Sequence, residues 1–317
     1  MTLQLKEQLK ESIRAGLDYV LKLQAPDGHW TDWNLPPGNS LAWTTAYVGS
    51  KLGSLPDYWA EQAVSARVAA ANWLLRHQFP DGGWGYNETV GSDADSTAFA
   101  ILCISSAGLE VPDVAYEHLS QYQCADGGFS TYLVERMSNS WSVSHPDVTP
   151  IALQALLRKY SIGDSTVRNG LDYVVSQKTS AGIWNSFWWD TPLYSTEANL
   201  ALLRSVMAYD TTSTEESLCA LRPSRVFEIA LLVSSLLHIA ALRACAAATP
   251  LLEQLIRQQR PDGGWNSDLI LRITSRDCYQ PWACANVDPL FGDAQRLFTS
   301  SAALASLATV YSSAVFD

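Results

Sequence analysis

The sequence lacks several features that would assign it to common functional classes. No block of Lys or Arg occurs, and 32 acidic against 21 basic residues give a formal net charge of −11. Nucleic-acid binding needs clustered cations that neutralise phosphates, so this class of partner is excluded. The most apolar segment, 226–248, is interrupted by Glu228, His238 and Arg243. Such an interrupted segment does not predict a membrane-spanning helix.

Motifs for disulfide frameworks, secretion and flexible linkers are also missing. The six cysteines show no Cys-x-x-Cys spacing, and in a chain of 317 residues they are predicted to be reduced, mostly buried thiols. Residues 1–10 are charged and contain no apolar core of a signal peptide. We therefore expect a cytoplasmic protein, with peripheral membrane contact left open. Because no Gly/Ser-rich or Pro-rich linker occurs, residues 1–317 are predicted to form a single domain.

What the sequence does contain is a repeated turn. The pattern Gln-x-x-x-Gly-x-Trp occurs at 24–30, 78–84 and 259–265. A copy with Phe in place of Trp occurs at 123–129, and a looser copy with one extra residue lies at 177–184. The Pro-Asp-Gly found in three copies favours a tight reversal in which glycine takes a positive φ. Five copies of one turn predict a repeat architecture.

Each turn follows an amphipathic stretch and precedes a more uniformly apolar one. The stripe formed by Leu9, Ile13, Leu17 and Val20 before the first turn is an example. The predicted helix pairs are 9–24 with 40–52, 59–78 with 96–107, 114–123 with 148–160, 167–177 with 195–208, 215–221 with 225–243, and 251–259 with 299–312. The first helix of each pair is expected to face solvent and the second to be buried. This pattern predicts an all-α fold, a single (α/α)6 barrel with an outer and an inner ring of helices around a central cavity.

The stretch 91–100 contains two carboxylates, Asp93 and Asp95, directly before an apolar run. A capped helix N-terminus explains this pattern as well as a catalytic pair does. The residues of this stretch alone do not decide between the two.

The repeats and the acidic stretch together resemble a known family. The Gln-x-x-x-Gly-x-Trp turns resemble the QW repeats of squalene–hopene and oxidosqualene cyclases, and they cover nearly the whole chain. Asp93-Ala-Asp95-Ser-Thr-Ala98 resembles the class II signature Asp-x-Asp-Asp-Thr-Ala of that family. Those relatives usually carry two barrels, whereas this chain has material for one. It is therefore most similar to the monodomain class II cyclases that cyclise prenylated aromatic acids into meroterpenoids.

The resemblance implies that a Brønsted acid protonates an alkene or epoxide and that the resulting carbocation closes rings. The acid would be Asp95, with Asp93 raising its pKa. The third Asp of the signature is Ser96 here. Because a step of two residues turns a helix by about 200°, we expect Asp95, and not Asp93, to line the cavity.

The assistance that the acid receives is expected to differ from that in the family. Squalene–hopene cyclases use a His in an Asp-Val-Thr-x-His stretch, whereas this chain has Asp147-Val-Thr-Pro150 followed by Ile151. Ser96, Asp147, His145, Asn139 or a water are the candidates, and for His145 an ordinary turn histidine is the favoured interpretation. No terminating base is evident from the sequence.

A carbocation also requires a dry cavity with aromatic faces. Tyr86 matches by position an aromatic residue that the larger cyclases place near the first ring. The other candidates for contact with substrate are Trp43, Phe99, Trp141, Trp188, Trp189, Tyr194 and Trp282. Packing in the core or at the rim is the competing interpretation for each of them.

Several alternatives stay open. A prenyl diphosphate is the main rival substrate; Arg136, Arg272 and Arg276 are candidate ligands for either head group, and Mg²⁺ is expected only with a diphosphate. Otherwise we predict no metal and no cofactor. A protein prenyltransferase β-like barrel needs zinc, and Asp277-Cys278 only partly matches its ligands. A paired-carboxylate glycosidase is disfavoured by the repeats, and a class I terpene synthase by the lack of Asp-Asp.

A lipid-binding barrel without activity is the remaining non-enzymatic alternative. The predicted partner is a hydrophobic polyprenyl small molecule, and no obligate protein partner is predicted.

Overall fold

The computed structural model describes residues 2–207, 209–239, 242–284 and 288–313. It is a double ring of helices. The outer helices are α1 (Leu3–Lys22), α4 (Val64–Arg76), α6 (Asp113–Ser120), α8 (Ser165–Ser176), α10 (Thr212–Ala220) and α12 (Leu242–Gln258). The inner helices are α2 (Ala42–Gly53), α5 (Ala94–Ser106), α7 (Thr149–Leu156), α9 (Pro192–Val206), α11 (Val226–Ile239) and α13 (Leu297–Tyr311). A short helix, α3 (Asp57–Ala60), precedes α4.

The inner helices contact one another in the closed order α2, α5, α7, α9, α11, α13 and back to α2. The outer helices pack against this ring from outside, and α1 also contacts α12. The predicted fold class is therefore confirmed.

The two rings differ in the way the sequence pattern predicts. The outer helix α1 buries one stripe that includes Leu9, Ile13, Leu17 and Val20, and its other face is exposed. In the inner helix α5 nearly every residue from Ala94 to Ile104 is buried. A helix surrounded by protein on all sides needs apolar residues on all sides, and this explains the two patterns.

The repeated turns join neighbouring outer helices. The Gln24 amide donates to the carbonyls of Gly28 and Ala66, each at 2.8 Å, and the second of these lies in α4. The Trp30 indole donates to the Val20 carbonyl at 2.9 Å. The last copy closes the ring, because the Gln259 amide reaches the Ser12 carbonyl of α1 at 2.9 Å.

Glycine is required inside these turns. Gly28 has φ +107°, and a Cβ at this position would lie 2.5 Å from the Ala69 carbonyl oxygen. Both the backbone conformation and the close approach exclude a side chain.

Two short antiparallel hairpins were not predicted. They pair β1 (Asp32–Leu35) with β2 (Gly38–Ser40), and β3 (Leu271–Arg272) with β4 (Leu290–Phe291). Strands of two to four residues are too short to show an alternating pattern, so sequence periodicity does not reveal them. Both lie in loops that lead to inner helices.

Some predicted boundaries are wrong. The predicted outer helix 251–259 begins earlier, at Leu242, and the predicted inner helix 225–243 ends at Ile239. Apolar residues predominate in both helices of this region, so the composition did not indicate which residues belong to which helix. Residues 208, 240 and 241 of the predicted helices lie outside the described residues.

Two further observations concern cysteines and membranes. Cys278 and Cys284 are joined by a disulfide, so the prediction of reduced thiols is wrong for this pair; the loop after β3 brings the two together. Cys103 and Cys124 are free thiols. Within the described ranges, we find no helix with the length and apolar character needed to cross a bilayer.

Candidate active site

A cavity of about 100 Å³ lies at the N-terminal ends of four inner helices, α2, α5, α7 and α9. Three acidic side chains line it, namely Asp93, Asp95 and Asp147. Leu35, Val148, Leu271 and Ile273 supply apolar wall from the two hairpins and the start of α7. A largely apolar lining with a few polar groups is typical of a site for a small molecule.

Asp95 lies in the first turn of α5 and faces the cavity, as predicted. The indole Nε1–H of Trp43, from α2, donates to its Oδ2 at 2.6 Å. Desolvation raises the pKa of Asp95 well above its ordinary value, the Asp93 charge raises it further, and the Trp43 bond opposes both. Desolvation and the Asp93 charge thus favour the protonated form of Asp95, and the Trp43 indole is a donor that stabilises its conjugate base.

Asp93 also lines the cavity, so the prediction that only Asp95 would do so is wrong. Asp93 is the N-cap of α5, with extended backbone at φ −136° and ψ 162°, and the helical step of two residues does not apply to it. Ser96 donates to it twice, from the backbone N–H at 2.7 Å and from Oγ at 2.8 Å. Ser96 thus acts on Asp93 and not directly on Asp95.

Burial raises the pKa of Asp93 to about 7, against the opposing effect of the Ser96 bonds. The two neighbouring acids are therefore unequal, since Asp93 has the donors that favour its charge. A negative Asp93 keeps the proton on Asp95.

Asp147 lies just before α7 and is almost completely buried. Its Oδ2 accepts the backbone N–H groups of Phe187 at 2.9 Å and Trp188 at 2.7 Å. Its Oδ1 is buried and has no hydrogen-bond partner in the part of the chain that the structure describes. Burial raises its pKa to about 6, and the two backbone bonds lower it.

Six aromatic side chains form much of the wall: Trp43, Tyr86, Tyr132, Trp188, Trp189 and Tyr194. Five of them were predicted to contact substrate, and the structure brings those five together. The rings hold one another in place, for example Trp189 stacked on Tyr194 with centroids 4.3 Å apart. Rings fixed in this way can stabilise a cation without reorganising.

Three predicted aromatic residues do not line this cavity. Trp141 packs edge-on against Trp188 from behind, with centroids 5.3 Å apart, and Trp282 is 39% exposed in the loop after β3. Phe99 lies one turn deeper in α5 and lines a second cavity at the opposite end of the barrel. Loop length and helix rotation decided these placements, and neither can be read from a residue type.

His145 and Asn139 do not assist the acid. His145 is fully buried; its Nε2 donates to the Ser140 carbonyl at 2.8 Å, and its Nδ1 accepts from Thr131 Oγ1 at 2.7 Å. Thr131 Oγ1 in turn accepts the Trp188 indole N–H at 2.7 Å, so this chain of bonds orients a wall residue. Burial lowers the pKa of His145 to about 4. Asn139 accepts the Trp141 backbone N–H at 2.9 Å and does not line the cavity.

The three candidate arginines lie outside the cavity wall. Arg136 pairs with Asp81 at 2.8 Å on the outer side of the α5 N-terminus. Arg272 has a side chain only 11% exposed, pairs with Asp190 at 3.1 Å and donates to the Phe187 carbonyl at 3.3 Å. The exposed Arg276 lies over the Trp141 ring, 5.1 Å from its centroid.

The sequence analysis missed six lining residues, namely Leu35, Thr131, Tyr132, Val148, Leu271 and Ile273. Thr131 and Tyr132 could have been found, since they follow Phe129 of the third turn much as Tyr86 follows Trp84 of the second. The residues of the hairpins carry no such signal.

The buried acids predict a pH dependence of stability. The folded-state pKa is raised to about 7 for Asp32 and Asp93 and to about 6 for Asp147, from about 4 in an unfolded chain. Between about pH 4 and pH 7 these carboxyl groups bind more protons in the folded state than in the unfolded chain. The free energy of unfolding therefore falls as the pH rises from about 4 through 7. The pKa of Glu197 is lowered to about 2, so its titration affects stability only below this pH range.

We therefore expect Tm to be higher at pH 5.5 than at pH 8, by about 5 °C, in thermal unfolding followed by circular dichroism. The Asp93→Asn variant should show a smaller difference. A Tm that rises between these two pH values would contradict this account.

Known proteins resemble this chain in part of its sequence and in its fold. A scan against models of known protein families finds no match. Among characterised proteins, terpentedienyl-diphosphate synthase of Kitasatospora griseola is 35% identical over 88 residues, which cover 27% of this chain and 16% of the relative. Drimenyl diphosphate synthase of Streptomyces showdoensis is 30% identical over 131 residues, or 39% of this chain and 23% of the relative. The matched segments thus span less than a quarter of these relatives.

Solved structures match over nearly the whole chain. The type II terpene cyclase MstE from Scytonema superposes with a TM-score of 0.85 at 25% identity, covering 96% of this chain and 98% of that one. A variant of it in complex with geranylgeranyl dihydroxybenzoate, its substrate, gives 0.85 at 25% identity, covering 98% and 99%. The ent-copalyl diphosphate synthase from Streptomyces platensis shares the fold alone, with a TM-score of 0.61 at 17% identity over 84% of this chain and 50% of that one. The family resemblance inferred from the sequence is confirmed.

Proposed function

We propose that this chain, which has the fold of the type II terpene cyclases, protonates the terminal alkene or epoxide of a polyprenyl chain and cyclises it. The main support for this function is the position of Asp95, a carboxylic acid with a raised pKa, on the wall of an aromatic cavity. A general acid must be protonated at the working pH and positioned at the reacting atom. The overall reaction is an isomerisation within one barrel, residues 1–317.

Three side chains control the protonation of Asp95. Asp93, held by Ser96, keeps the proton on Asp95 through its charge. Trp43 donates to Asp95 and stabilises the carboxylate that forms when the proton leaves. We assign to Trp43 the assistance that the larger cyclases obtain from a His, because Ile151 stands at that position and His145 is engaged elsewhere.

The aromatic wall then stabilises the carbocation. Trp43, Tyr86, Trp188, Trp189 and Tyr194 present π faces or edges in a cavity whose lining also includes four aliphatic side chains. Each cation–π contact in a desolvated site contributes about 0.5–2 kcal/mol. The same apolar lining keeps out water that would quench the cation.

For the substrate we propose a prenylated aromatic acid. MstE binds such a molecule, and two of the three candidate arginines, Arg136 and Arg272, are already paired with Asp81 and Asp190. The remaining candidate partner for a carboxylate head group is the exposed Arg276, which lies over the Trp141 ring. Such a substrate requires no metal or cofactor for protonation. Because Cys278 is bonded to Cys284, a zinc-dependent prenyltransferase is disfavoured.

A prenyl diphosphate is the second candidate substrate, since the characterised relatives are diphosphate synthases. With either substrate we propose a cytoplasmic protein that takes a hydrophobic molecule from a membrane surface. Tyr279 and Trp282, exposed on the loop after β3, are suited to such peripheral contact.

The test is direct incubation of the purified chain with geranylgeranyl dihydroxybenzoate and, separately, with geranylgeranyl diphosphate. Mass spectrometry and NMR should show a cyclic product with the mass of the substrate. In D₂O the product should gain one carbon-bound deuterium, because Asp95 exchanges its proton with solvent before transfer. Recovery of both substrates unchanged would refute the proposal and favour a lipid-binding barrel.

A further inference from the structure

The cavity contains a third acidic group, Asp147, whose charge also helps to raise the pKa of Asp95. Oδ2 of Asp147 accepts two hydrogen bonds, from the backbone N–H groups of Phe187 and Trp188. The other oxygen, Oδ1, is buried without a hydrogen-bond partner among the described residues, on a side chain that lines the cavity. A buried acceptor without a partner is unfavourable by about 1–3 kcal/mol, which marks it as a feature with a function.

Asp147 is not suited to initiation. Two backbone donors on one oxygen favour the ionised carboxylate, and an ionised carboxylate has no proton to give to an alkene or to Asp95. The acid already has its donor in Trp43. The cavity therefore combines a protonated acid at the start of α5 with a proton acceptor before α7.

Burial raises the pKa of Asp147 only to about 6, whereas that of Asp95 is raised well above its ordinary value. Asp147 has two backbone donors that favour its ionised form, whereas burial and the Asp93 charge favour the protonated form of Asp95. Two carboxyl groups whose environments separate their pKa values in this way are typical of an acid and a base that act in one reaction.

We propose that Asp147 Oδ1 is the terminating base, which removes a proton from the carbon next to the final cationic centre. The inference rests on the proposed function. Initiation breaks the Asp95 O–H bond and forms a C–H bond at one alkene carbon. Termination breaks a C–H bond, whose electron pair becomes the new C=C, and the proton forms an O–H bond on Asp147. The product is an isomer of the substrate, and exchange with solvent returns both groups to their starting states.

The position of this base also predicts the class of product. A carboxylate inside an aromatic cavity removes the proton before water can add, so the product is a cyclic alkene and not a cyclic alcohol. Trp188 shares in this arrangement, because its backbone N–H fixes Asp147 while its ring lies on the cavity wall.

The test compares the products of the wild type with those of Asp147→Asn, using geranylgeranyl dihydroxybenzoate and geranylgeranyl diphosphate. The amide oxygen of Asn can still accept both backbone N–H groups, and the carboxyl group of Asp95 is kept, although its pKa is lowered because the Asp147 charge is removed. We expect continued consumption of substrate, with the share of the wild-type alkene reduced at least about tenfold in favour of cyclic alcohols and isomeric alkenes. Asp18→Asn, on the exposed face of α1, is the matched control and should give the wild-type product ratio.

Two outcomes would overturn the inference alone: an unchanged product ratio from Asp147→Asn, or a folded variant that consumes no substrate, which would place Asp147 in initiation. If Asp147→Asn does not fold, Asp147→Glu decides, because it keeps the carboxylate but moves it. Alkenes with a shifted double bond would support the base, and the wild-type ratio would overturn it. Absence of any cyclic product from the wild type would instead refute the proposed function, and this inference with it.

Discussion

The Asp95→Asn variant should lose cyclisation almost completely, with turnover reduced by about a thousandfold or more. Asn has the shape of Asp, and its amide oxygen can still accept the Trp43 indole N–H, so the wall of the cavity is kept. What disappears is an acidic proton, since an amide cannot protonate an alkene. The loss should therefore appear in kcat, with KM little changed, in initial-rate measurements by liquid chromatography.

Asp93→Asn provides the comparison within the same stretch. It removes a charge that raises the pKa of Asp95 but leaves the acid itself, so we expect a smaller loss, of about tenfold to a hundredfold. Ser96 can still donate to the amide oxygen of this variant, which preserves the start of α5. If Asp95→Asn turned substrate over as fast as the wild type, Asp95 would not be the acid and the cyclase mechanism would have to be abandoned.

The largest effect on stability is expected from Asp32→Ala, far along the chain from the acidic stretch. Asp32 is buried in β1, and its carboxyl oxygens accept three backbone N–H groups. They belong to Trp33 at 2.7 Å, Gln295 at 2.6 Å and Leu297 at 2.7 Å. Leu297 begins α13, whose own N-cap residue, Arg296, makes no side-chain cap. Asp32 therefore caps α13, the last inner helix, and connects it to the hairpin β1–β2, which precedes α2.

Alanine at this position would leave three donors unpaired, two of them where the chain closes the ring. Each unsatisfied buried donor is unfavourable by about 1–3 kcal/mol, so the free energy of unfolding should fall by about 3–5 kcal/mol. Urea denaturation followed by tryptophan fluorescence measures this loss. Asp32→Asn, with one acceptor oxygen, should lie between Ala and the wild type, and the exposed Asp18→Ala should stay within about 0.5 kcal/mol of the wild type. A loss below about 1 kcal/mol in Asp32→Ala would show that the cap contributes little.

Much of the fold could be predicted because its signals are local. The glycine turns and the striped or uniformly apolar helices report on their own backbone and burial, and neighbouring residues decide both. The acidic stretch could be located for the same reason, since a polar start followed by an apolar run marks a helix N-terminus. The start of α12 at Leu242 was not predicted because the apolar composition continues from α11 into α12.

The partners of the site residues could not be predicted, because they come from different helices. Asp95 meets Trp43, 52 positions away, and Asp147 meets Phe187 and Trp188, 40 and 41 positions away. His145 was placed near the acid only by its position in the sequence, and the structure turns it towards Thr131 and Ser140.

Local sequence patterns specify that inner and outer helices alternate, where the turns lie, and that an inner helix begins with acidic residues. Only the folded ring shows that Asp93 also faces the cavity, that Trp43 donates to Asp95, and that Asp147 keeps one oxygen without a partner among the described residues. The physical reason is that a hydrophobic period depends on neighbouring residues, whereas the pKa of a carboxyl group depends on every group that closing the ring brings around it.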